Sequence, residues 1–463
     1  RINTTTANYQ LEPKVTGLSD GSFAVVWTDR SGADGSSYGV YMQRVSATGQ
    51  LLGGEQKVNT FTNNDQGQPS IAAYTGGYVV TWYSNGQDGS GYGVYAQRFD
   101  NAGNPVLTGG SNEFRVNTVT SSNQYEPDVA AFADGGFVVV WRSDGQDGSG
   151  SGVYAQRFDA AGAALGGEFR VNTTTDSNQS DAHVAVLADG SFVVVWADDG
   201  SHDGSGYGVY AQRFDAGGNQ LGGEFLVNGS VISSQYQPAV TALASGGFVV
   251  SWYNDYYDAS GTGSAADVYV REYAADGSPV GAEVKVNSPS GSYYQSEPAI
   301  AHLGSDNFVV TWRSDQDQDG SGSGIFQQLF GSTAELGRQA RPDLSDFTGS
   351  VTFEENAVNA GLQVIDAAVS LSDADSADFS GGRLDLYYLS GGAAEDQLGV
   401  VAGGPISVAG NVVSYAGTPI GTLSGGANGT NLRIDFSGAA ATADAVQALL
   451  REGWLERAAQ RYR

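Results

Sequence analysis

The chain contains no cysteine, only one methionine and only three histidines among its 463 residues. Without cysteine, neither disulfides nor thiolate metal sites can hold the fold. Basic residues number 22 against 51 acidic ones, which gives a formal net charge of −29. A chain with this negative charge repels phosphate groups, so we expect no nucleic acid partner. Cations are the favoured partners. No run approaches the roughly 18 apolar residues of a membrane span, so we expect none.

Helix-forming patterns are nearly absent before residue 440, whereas glycine (67 residues), tyrosine (24) and phenylalanine (19) are abundant. This composition is typical of strands and turns, so we expect an all-β fold. The length allows one large domain and a second, smaller one. The chain starts at Arg1 with neither a methionine nor a signal peptide, which suggests a processed or truncated piece of a larger protein.

One hydrophobic segment organises the sequence, because six copies of it occur at regular intervals. Its clearest copy, Phe-Val-Val-Val-Trp at 137–141, alternates its side chains between two faces that are both apolar. The tryptophans that close the copies are Trp27, Trp82, Trp141, Trp196, Trp252 and Trp312. A period of this length is typical of a repeat array or a propeller, in which neighbouring blades cover both faces of each sheet.

Each period contains four candidate strands, which is the content of one propeller blade. In the third period they are 127–132, 137–141, 152–158 and 168–172. The sixth period ends after its third candidate strand, 324–330, and its missing fourth strand has a counterpart at the other end of the chain. Arg-Ile-Asn-Thr at 1–4 matches Arg-Val-Asn-Thr at 170–173.

We therefore predict a six-bladed β-propeller over residues 1–341, closed by pairing of the N-terminal strand with the last blade. Closure would remove the exposed sheet edges of an open array. The alternative is an open stack of β units. After residue 341 the repeat stops, and short strands with glycine turns predict a β-sandwich over 342–450. The tail, 451–463, is rich in arginine and alanine and is either an amphipathic helix or an artefact.

The loop after each tryptophan carries acidic residues and glycine at the spacing of a calcium loop. Near-alternate oxygen ligands followed by a glycine suit a hard cation, so calcium is the expected cofactor. The loops lack the later bidentate glutamate of an EF-hand, and the same residue types also make ordinary hairpin turns. The candidate metal ligands in these loops are Asp144 and Asp147, Asp199 and Asp203, and Asp315, Asp317 and Asp319.

Two further sets of residues recur once in each blade. A glutamine before the first strand, usually in Gln-x-x-Pro, is present in every blade and is therefore interpreted as a structural latch. It occurs at Gln10, Gln66, Gln124, Gln179, Gln235 and Gln295. The residue after the tryptophan differs between blades, and it includes Tyr83, Arg142, Tyr253 and Arg313. These four are candidate ligand-binding residues for sugars or anionic groups, unless they are only solvated rim residues.

Signals of catalysis are weak, and we predict no catalytic residue. His183 and His302 would lie on first strands beside the central channel, where either could meet a carboxylate as a general base. Isolated histidines in strands are more often packing or surface residues. Acidic pairs are so frequent in this chain that their proximity is not diagnostic.

The repeated motifs Gly-Gly-Phe-Val-Val-Val-Trp, Asp-Gly-Ser-Gly-x-Gly-Val-Tyr-Ala-Gln-Arg-Phe-Asp and Gly-Gly-Glu-Phe-x-Val-Asn resemble the propeller-like repeats of large secreted bacterial proteins. These are the hemolysin-type calcium-binding (RTX) proteins. Residues 351–450 resemble the cadherin-like domains of the same proteins, and this likeness implies calcium ligands at Glu354, Glu355, Asp373 and Asp375. The glycine-rich nonapeptide array typical of the class does not occur in this sequence.

Together these observations predict a secreted, extracellular module at the bacterial cell surface, stabilised by calcium, that binds a polysaccharide or a cell-surface glycan for adhesion. One alternative is a polysaccharide lyase or hydrolase with its site at the channel mouth, and another is a structural spacer of a large adhesin. A catalytic site would require unlike polar groups from different blades to converge on one pocket.

Overall fold

The computed structural model describes residues 1–33, 35, 38–257, 264–287, 294–304, 306–315, 322–331, 343–345, 370–372, 383–386, 397–400, 404–425, 432–452 and 454–457. The chain divides into two compact units, Arg1–Ser332 and Thr333–Arg463. This division falls nine residues before the boundary expected at 341. No described helix is long and apolar enough to cross a membrane.

The first unit consists of six antiparallel sheets, called blades 1 to 6, that follow one another along the chain. Blade 1 contains β1 (Gln10–Gly17), β2 (Phe23–Asp29), β3 (Gly39–Val45) and β4 (Leu51–Lys57). Blade 2 contains β5 (Gln66–Tyr74), β6 (Gly77–Asn85), β7 (Tyr92–Asp100), β8 (Pro105–Val106) and β9 (Glu113–Arg115). Blade 3 contains β10 (Gln124–Ala131), β11 (Phe137–Asp144), β12 (Ser151–Phe158) and β13 (Phe169–Arg170).

The second half of the unit repeats this order. Blade 4 contains β14 (Gln179–Val186), β15 (Phe192–Asp198), β16 (Gly208–Phe214) and β17 (Gln220–Leu226). Blade 5 contains β18 (Ser234–Ala242), β19 (Phe248–Tyr257), β20 (Ser264–Tyr273) and β21 (Val284–Lys285). Blade 6 contains β22 (Gln295–Gly304), β23 (Asn307–Ser314) and β24 (Gly324–Phe330). The predicted all-β composition is thus confirmed, and blades 1, 3, 4 and 5 have the predicted four strands.

The hydrophobic cores lie between consecutive blades, as the two apolar faces of the repeated strand require. Phe137, Val139 and Trp141 pack against blade 2, whereas Val138 and Val140 pack against blade 4. Trp141 is fully buried, as are Trp82 and Trp252 in their own blades. Each blade therefore lacks a complete core of its own and is stabilised by its neighbours.

Buried asparagines and glutamines join consecutive blades, which agrees with the interpretation of the glutamine as a latch. Asn172, after the outer strand of blade 3, accepts a hydrogen bond from the backbone N–H of Val153 (2.8 Å). Its Nδ2 donates to Oε1 of Gln179 in blade 4 (2.9 Å). Glu224 of blade 4 accepts from the backbone N–H groups of Thr173 (2.6 Å) and Thr174 (3.2 Å). Equivalent asparagine–glutamine and glutamate bonds join blades 1 and 2, 2 and 3, and 4 and 5.

The N-terminal segment makes these same contacts with blade 1. Asn3 Nδ2 donates to Gln10 Oε1 (3.1 Å), and the backbone N–H of Thr4 donates to Glu55 Oε2 (2.7 Å). Residues 1–4 thus lie against blade 1 as the end of an outer strand lies against the following blade. Among the described residues, however, they form no ladder with β24, and the sixth sheet has three strands.

The outward faces of the first and sixth blades differ from their counterparts inside the array. Val15 of blade 1 is 64% exposed, whereas its counterpart in blade 3, Val129, is 6% exposed. Ile325 of blade 6 is 78% exposed, whereas its counterpart in blade 2, Val94, is fully buried. These faces are apolar like the buried ones, so they have the composition of a sixth inter-blade core.

The second unit contains a five-stranded antiparallel sheet with a helix against it. In sheet order the strands are β27 (Arg383–Leu386), β32 (Leu432–Phe436), β31 (Thr418–Gly425), β30 (Val412–Tyr415) and β29 (Ile406–Ala409). Two further pairs are β25 (Asp343–Ser345) with β26 (Ser370–Ser372), and β28 (Gln397–Val400) with β33 (Trp454–Arg457). The helix, α1, spans Ala443–Glu452.

The described core of this unit lies between sheet and helix. Leu449 and Val446 of α1 pack with Ile420 and Ile434 of the sheet. The predicted cadherin-like sandwich is therefore not confirmed by the described residues. In the described part of the tail, α1 ends at Glu452 and Trp454–Arg457 form a strand.

Candidate functional site

Every first strand of a blade contains a β-bulge at the same place, two residues after its glutamine. The bulge residues have left-handed backbones with φ between 48° and 55° although none is glycine. They are Glu12, Gln68, Glu126, Asp181, Gln237 and Glu297, and the strand register shifts beside each of them. Such a conformation costs about 1–3 kcal/mol, and strain of this kind is concentrated at functional sites.

The bulge side chains connect neighbouring blades around the channel. Glu12 Oε2 accepts from the backbone N–H of Gln68 (3.0 Å), and Gln68 Oε1 accepts from that of Glu126 (3.3 Å). Glu126 Oε2 is 3.5 Å from the backbone N–H of Asp181, and Gln237 Oε1 accepts from that of Glu297 (3.2 Å). An acid or amide is required at the bulge because the side chain supplies this acceptor.

Two residues further along each first strand, the side chains differ from blade to blade. The residues at this position are Lys14, Ser70, Asp128, His183, Ala239 and Ala299. Asp128 accepts from Ser70 Oγ (2.7 Å), from the backbone N–H of Val184 (3.0 Å) and from His183 Nδ1 (3.3 Å). Unlike polar groups of three consecutive blades therefore converge on one carboxylate.

The charge environment keeps Asp128 ionised. Burial acts to raise its pKa, but the adjacent His183, Lys14 and the Ser70 hydroxyl outweigh burial and lower the pKa to about 2. An ionised carboxylate only accepts hydrogen bonds, so the proton between the two groups lies on His183 Nδ1. The expectation that a channel histidine meets a carboxylate is confirmed for His183.

Glu126 and Asp181 lie on adjacent blades, two residues before Asp128 and His183 on the same strands. The end of the channel at which they lie is called the tyrosine mouth. Burial raises the pKa of both groups, and the charge of Asp181 raises the pKa of Glu126 further. Arg142 opposes these shifts. Its Nη1 is 3.8 Å from Glu126 Oε1, its Nε is 3.6 Å from Asp144 Oδ1, and its guanidinium lies 4.9 Å from the centre of the Tyr125 ring.

Half-buried tyrosines line the rest of this mouth in two contiguous groups. In blades 2 and 3, Tyr92 contacts Tyr83 (5.0 Å between ring centres) and Tyr125 (6.3 Å). In blades 4 and 5, Tyr236 contacts Tyr207 (4.6 Å) and Tyr253 (5.4 Å). Tyr253 in turn contacts Tyr294, before blade 6 (5.9 Å). The tyrosine groups lie on either side of the cluster around Arg142.

The four predicted ligand-binding residues all lie at this mouth, although they differ in accessibility. Tyr253 is buried, whereas Tyr83, Arg142 and Arg313 are partly or well exposed. Arg313 forms ion pairs with Glu297 (3.2 Å) and Asp315 (3.0 Å), which repeats the arrangement of Arg142 three blades earlier. The mouth therefore contains two arginine–carboxylate clusters.

In the described acidic loops, the predicted metal ligands accept hydrogen bonds from groups within or beside the loop. Asp147 Oδ1 accepts from the backbone N–H of Ser149 (3.1 Å), and Asp203 Oδ1 from that of Ser205 (3.0 Å). Asp199 accepts from the backbone and side chain of Asn178, Asp144 from Tyr125, and Asp315 from Ser323. No three acidic or histidine side chains gather as a metal set among the residues that are described.

The other predicted calcium ligands lie outside the described residues. They are Asp317, Asp319, Glu354, Glu355, Asp373 and Asp375. Hydrogen bonds do not use every carboxylate oxygen of these loops, because Asp147 Oδ2 is buried and has no hydrogen-bond partner. Calcium therefore stays a prediction for the described loops as well as for the sixth loop and the second unit.

The opposite mouth of the channel is lined mainly by apolar residues. A cavity of about 480 Å³ lies there, and it is lined mainly by alanines, Tyr74, Phe132, Leu187 and Leu243. His302 also lines this cavity. The polar groups from several blades meet at the tyrosine mouth, which is therefore the candidate site.

The sequence interpretation missed the bulge residues and the partners of His183. Glu126, Asp181 and Asp128 dominate the electrostatics of the site. Each lies within four residues of a latch glutamine, yet the sequence pattern did not single them out. Two signals were available. The bulge position is an acid or an amide in all six blades, and the residue after the proline position is the one that varies most in chemistry.

No protein-family model and no curated protein matches the chain. Among solved structures it is similar to a protein of unknown function from Dyadobacter fermentans, with a TM-score of 0.47, 11% identity, and 69% of this chain and 94% of that chain covered. It is also similar to the α-L-arabinofuranosidase Arb93A from Fusarium graminearum (TM-score 0.45, 15% identity, 69% and 92% covered). A third is the α-L-arabinanase of Penicillium chrysogenum (TM-score 0.46, 12% identity, 69% and 93% covered). With similarity this low, the site must be interpreted from its own residues.

Proposed function

We propose that the chain binds a glycan at the tyrosine-lined mouth of the propeller. The observation that carries this proposal is the band of seven half-buried or buried tyrosines on either side of Arg142. Tyrosine offers an apolar ring face to sugar C–H groups and a hydroxyl to sugar hydroxyls. Aromatic rings beside a few polar groups suit one stretch of a sugar polymer.

The charges at the mouth favour a neutral glycan. Arg142 and Arg313 are each paired with two carboxylates, so neither offers a free positive charge to an anionic sugar. The whole chain carries a net charge of −29, which repels polyanions at long range. A neutral polysaccharide avoids this repulsion and still uses the carboxylates as hydrogen-bond acceptors.

Binding is tested by calorimetry against arabinan, galactan, xylan, mannan and β-glucan, with polygalacturonate as the anionic comparison. Tyr125→Ala and Tyr236→Ala each remove one ring of the band and should weaken binding about tenfold or more. Tyr74→Ala is the matched control, since it removes a tyrosine at the opposite mouth. Weakening by Tyr74→Ala alone, or binding of none of these polysaccharides, would contradict the proposal.

Three further features belong to the same proposal. The ring is closed by pairing of residues 1–4 with β24, which the contacts of Asn3 and Thr4 with blade 1 support. Calcium binds the sixth loop, which the Asp-x-Asp-x-Asp-Gly spacing at 315–320 supports. The module acts outside the cell, at the bacterial surface, in keeping with the resemblance of its repeats to those of secreted proteins.

A further inference from the structure

Asp128 and His183 form a pair of the kind that prepares a general base. The carboxylate is fixed by Ser70 Oγ and by the backbone N–H of Val184, so it cannot turn away from the ring. With the Nδ1 proton directed at Asp128, the neutral ring carries its lone pair on Nε2. The His183 side chain is 30% exposed, so channel water reaches it.

The two bulge carboxyls precede these residues by two positions on the same strands. Glu126 and Asp128 belong to β10, whereas Asp181 and His183 belong to β14. Because burial raises the pKa values of Glu126 and Asp181, and the charge of Asp181 raises that of Glu126 further, the pair retains a proton at a pH where isolated carboxyls have lost theirs. A base and a proton donor thus lie at one channel mouth, beside the tyrosine band.

We propose that this constellation hydrolyses glycosidic bonds, with His183 as general base and the Glu126–Asp181 pair as general acid. The substrate class is the neutral glycan of the proposed function, on which this inference rests. Asp128 is a positioning residue that sets the tautomer and orientation of the His183 ring. Arg142 limits the rise in pKa of the pair, because its positive charge favours the ionised carboxylates.

The reaction balances with water as the second reactant. His183 Nε2 takes one proton from a water molecule, and the water oxygen forms a bond to the anomeric carbon. The bond from that carbon to the glycosidic oxygen breaks, and its electron pair stays on the oxygen. The carboxyl pair gives that oxygen a proton, so the products are two sugar hydroxyl groups. The proton on His183 then returns to the carboxyl pair through solvent.

The test measures new reducing ends from arabinan, galactan, xylan, mannan and β-glucan, with binding of each glycan measured in parallel. His183→Asn and Glu126→Gln should each lower kcat about 10²–10⁴-fold, while the affinity for the glycan changes less than about threefold. Asp181→Asn should act in the same direction. His302→Asn is the matched control, because His302 lies at the opposite mouth, and it should retain full activity.

Asp128→Asn tests the positioning role separately. It should lower kcat with little change in KM, and nitrogen NMR of the His183 ring should show the proton shifting from Nδ1 towards Nε2. An unchanged tautomer together with unchanged kcat would contradict the role of Asp128.

The outcomes separate this inference from the proposed function. Binding without release of reducing ends overturns the inference and leaves the binding proposal intact. Release that survives His183→Asn and Glu126→Gln also overturns it. Release of reducing ends that depends on His183 supports the inference even where affinity is too weak to measure, in which case the proposal of stable binding fails.

Discussion

At the scale of single residues, each bulge residue has a backbone conformation that favours glycine. Each nevertheless has a side chain with a hydrogen-bond acceptor, which glycine lacks. Glycine would adopt a φ near 50° without cost, whereas each of the six bulge residues is strained there. The side-chain acceptor offsets part of that strain through its bond to the next blade. In blades 3 and 4, burial of the carboxyls adds a further cost.

Glu126→Gly should therefore leave the free energy of unfolding unchanged within about 1 kcal/mol, because relief of strain and of carboxyl burial offsets the lost hydrogen bond. Hydrolysis should be lost in the same variant. Glu126→Ala is the matched variant, since it removes the same carboxyl but keeps the strained φ, and it should be less stable than the glycine variant by about 1 kcal/mol. A large fall in stability with glycine would mean that the carboxylate is chiefly structural.

The residues that were predicted correctly are those whose role is repeated in every blade. A glutamine that occurs six times at one offset indicates a structural contact, and Gln179 has that contact with Asn172. Asp128 and His183 occupy the same position in two consecutive repeats, four residues after the latch glutamine. They form one site because the two blades that carry them are neighbours in the fold. The contact between them depends on how the blades pack and on the bulge in each first strand. The bulge requires a positive φ, and a positive φ at a residue other than glycine has no clear signal in the sequence.

At the scale of elements, the junction between blades is the repeated unit of stability. In the four junctions from blade 1 to blade 5, an asparagine bonds the glutamine side chain of the next blade, and a glutamate of that blade accepts from backbone N–H groups. For Glu224 and Glu55, burial acts to raise the pKa, but hydrogen bonds from the preceding threonines outweigh burial, and the pKa is lowered. The folded protein therefore favours the ionised glutamates.

This lowered pKa predicts acid sensitivity of the junctions. A carboxyl with a lower pKa in the folded state stabilises the fold above its unfolded value, 4.5 for glutamate, and loses this contribution as the pH falls through the folded value. Glu224→Gln should therefore reduce the fall in Tm between about pH 7 and about pH 3. Glu55→Gln should add a similar effect, because the two junctions are separate. An acid-induced fall in Tm equal to that of the parent in both variants would contradict the assignment.

The acidic loops show why the calcium prediction could not be decided from sequence. Asp-Gly-Ser serves equally for a cation loop and for a turn in which the carboxylate accepts a backbone N–H. Asp147 and Asp203 follow the second pattern. The sixth loop differs from them in having aspartates at three alternate positions, 315, 317 and 319.

If calcium binds the sixth loop, chelation should lower Tm, and calcium should restore it better than magnesium, whose small octahedral shell fits a flexible loop poorly. Asp317→Asn should weaken this response. Asp189→Asn is the matched control, since it alters a turn carboxylate that is not a predicted ligand, and its calcium response should equal that of the parent. Calorimetry without calcium uptake, or an Asp317→Asn protein that responds fully, would reject the site.

At the scale of the whole molecule, the period of the sequence predicted the number and order of the blades. The second unit was less predictable, because its helix contributes to the core through only a short stretch at 443–452, and its strands lack a repeat. Ring closure depends on contacts between the two ends of the first unit. No local pattern encodes such contacts, and sequence offers only the match between residues 1–4 and 170–173.

Closure makes a specific prediction about register. In blade 3, Arg170 of the outer strand pairs with Tyr154 of β12, and the same alignment places Arg1 opposite Phe326 of β24. Because the chain has no cysteine, Arg1→Cys with Phe326→Cys creates a single possible disulfide. In a closed ring it should form on mild oxidation, since paired strand residues lie within disulfide reach, and it should raise Tm because it constrains a very long loop.

Arg170→Cys with Tyr154→Cys is the matched control, because it links residues that are paired within blade 3. Closure would also cover the apolar faces around Val15 and Ile325, so oxidation of the first pair should protect both blades from proteolysis. If the control pair oxidises and the Arg1–Phe326 pair stays reduced under the same conditions, the N-terminal segment contacts blade 1 alone. The six blades would then form an open array whose two end faces remain exposed.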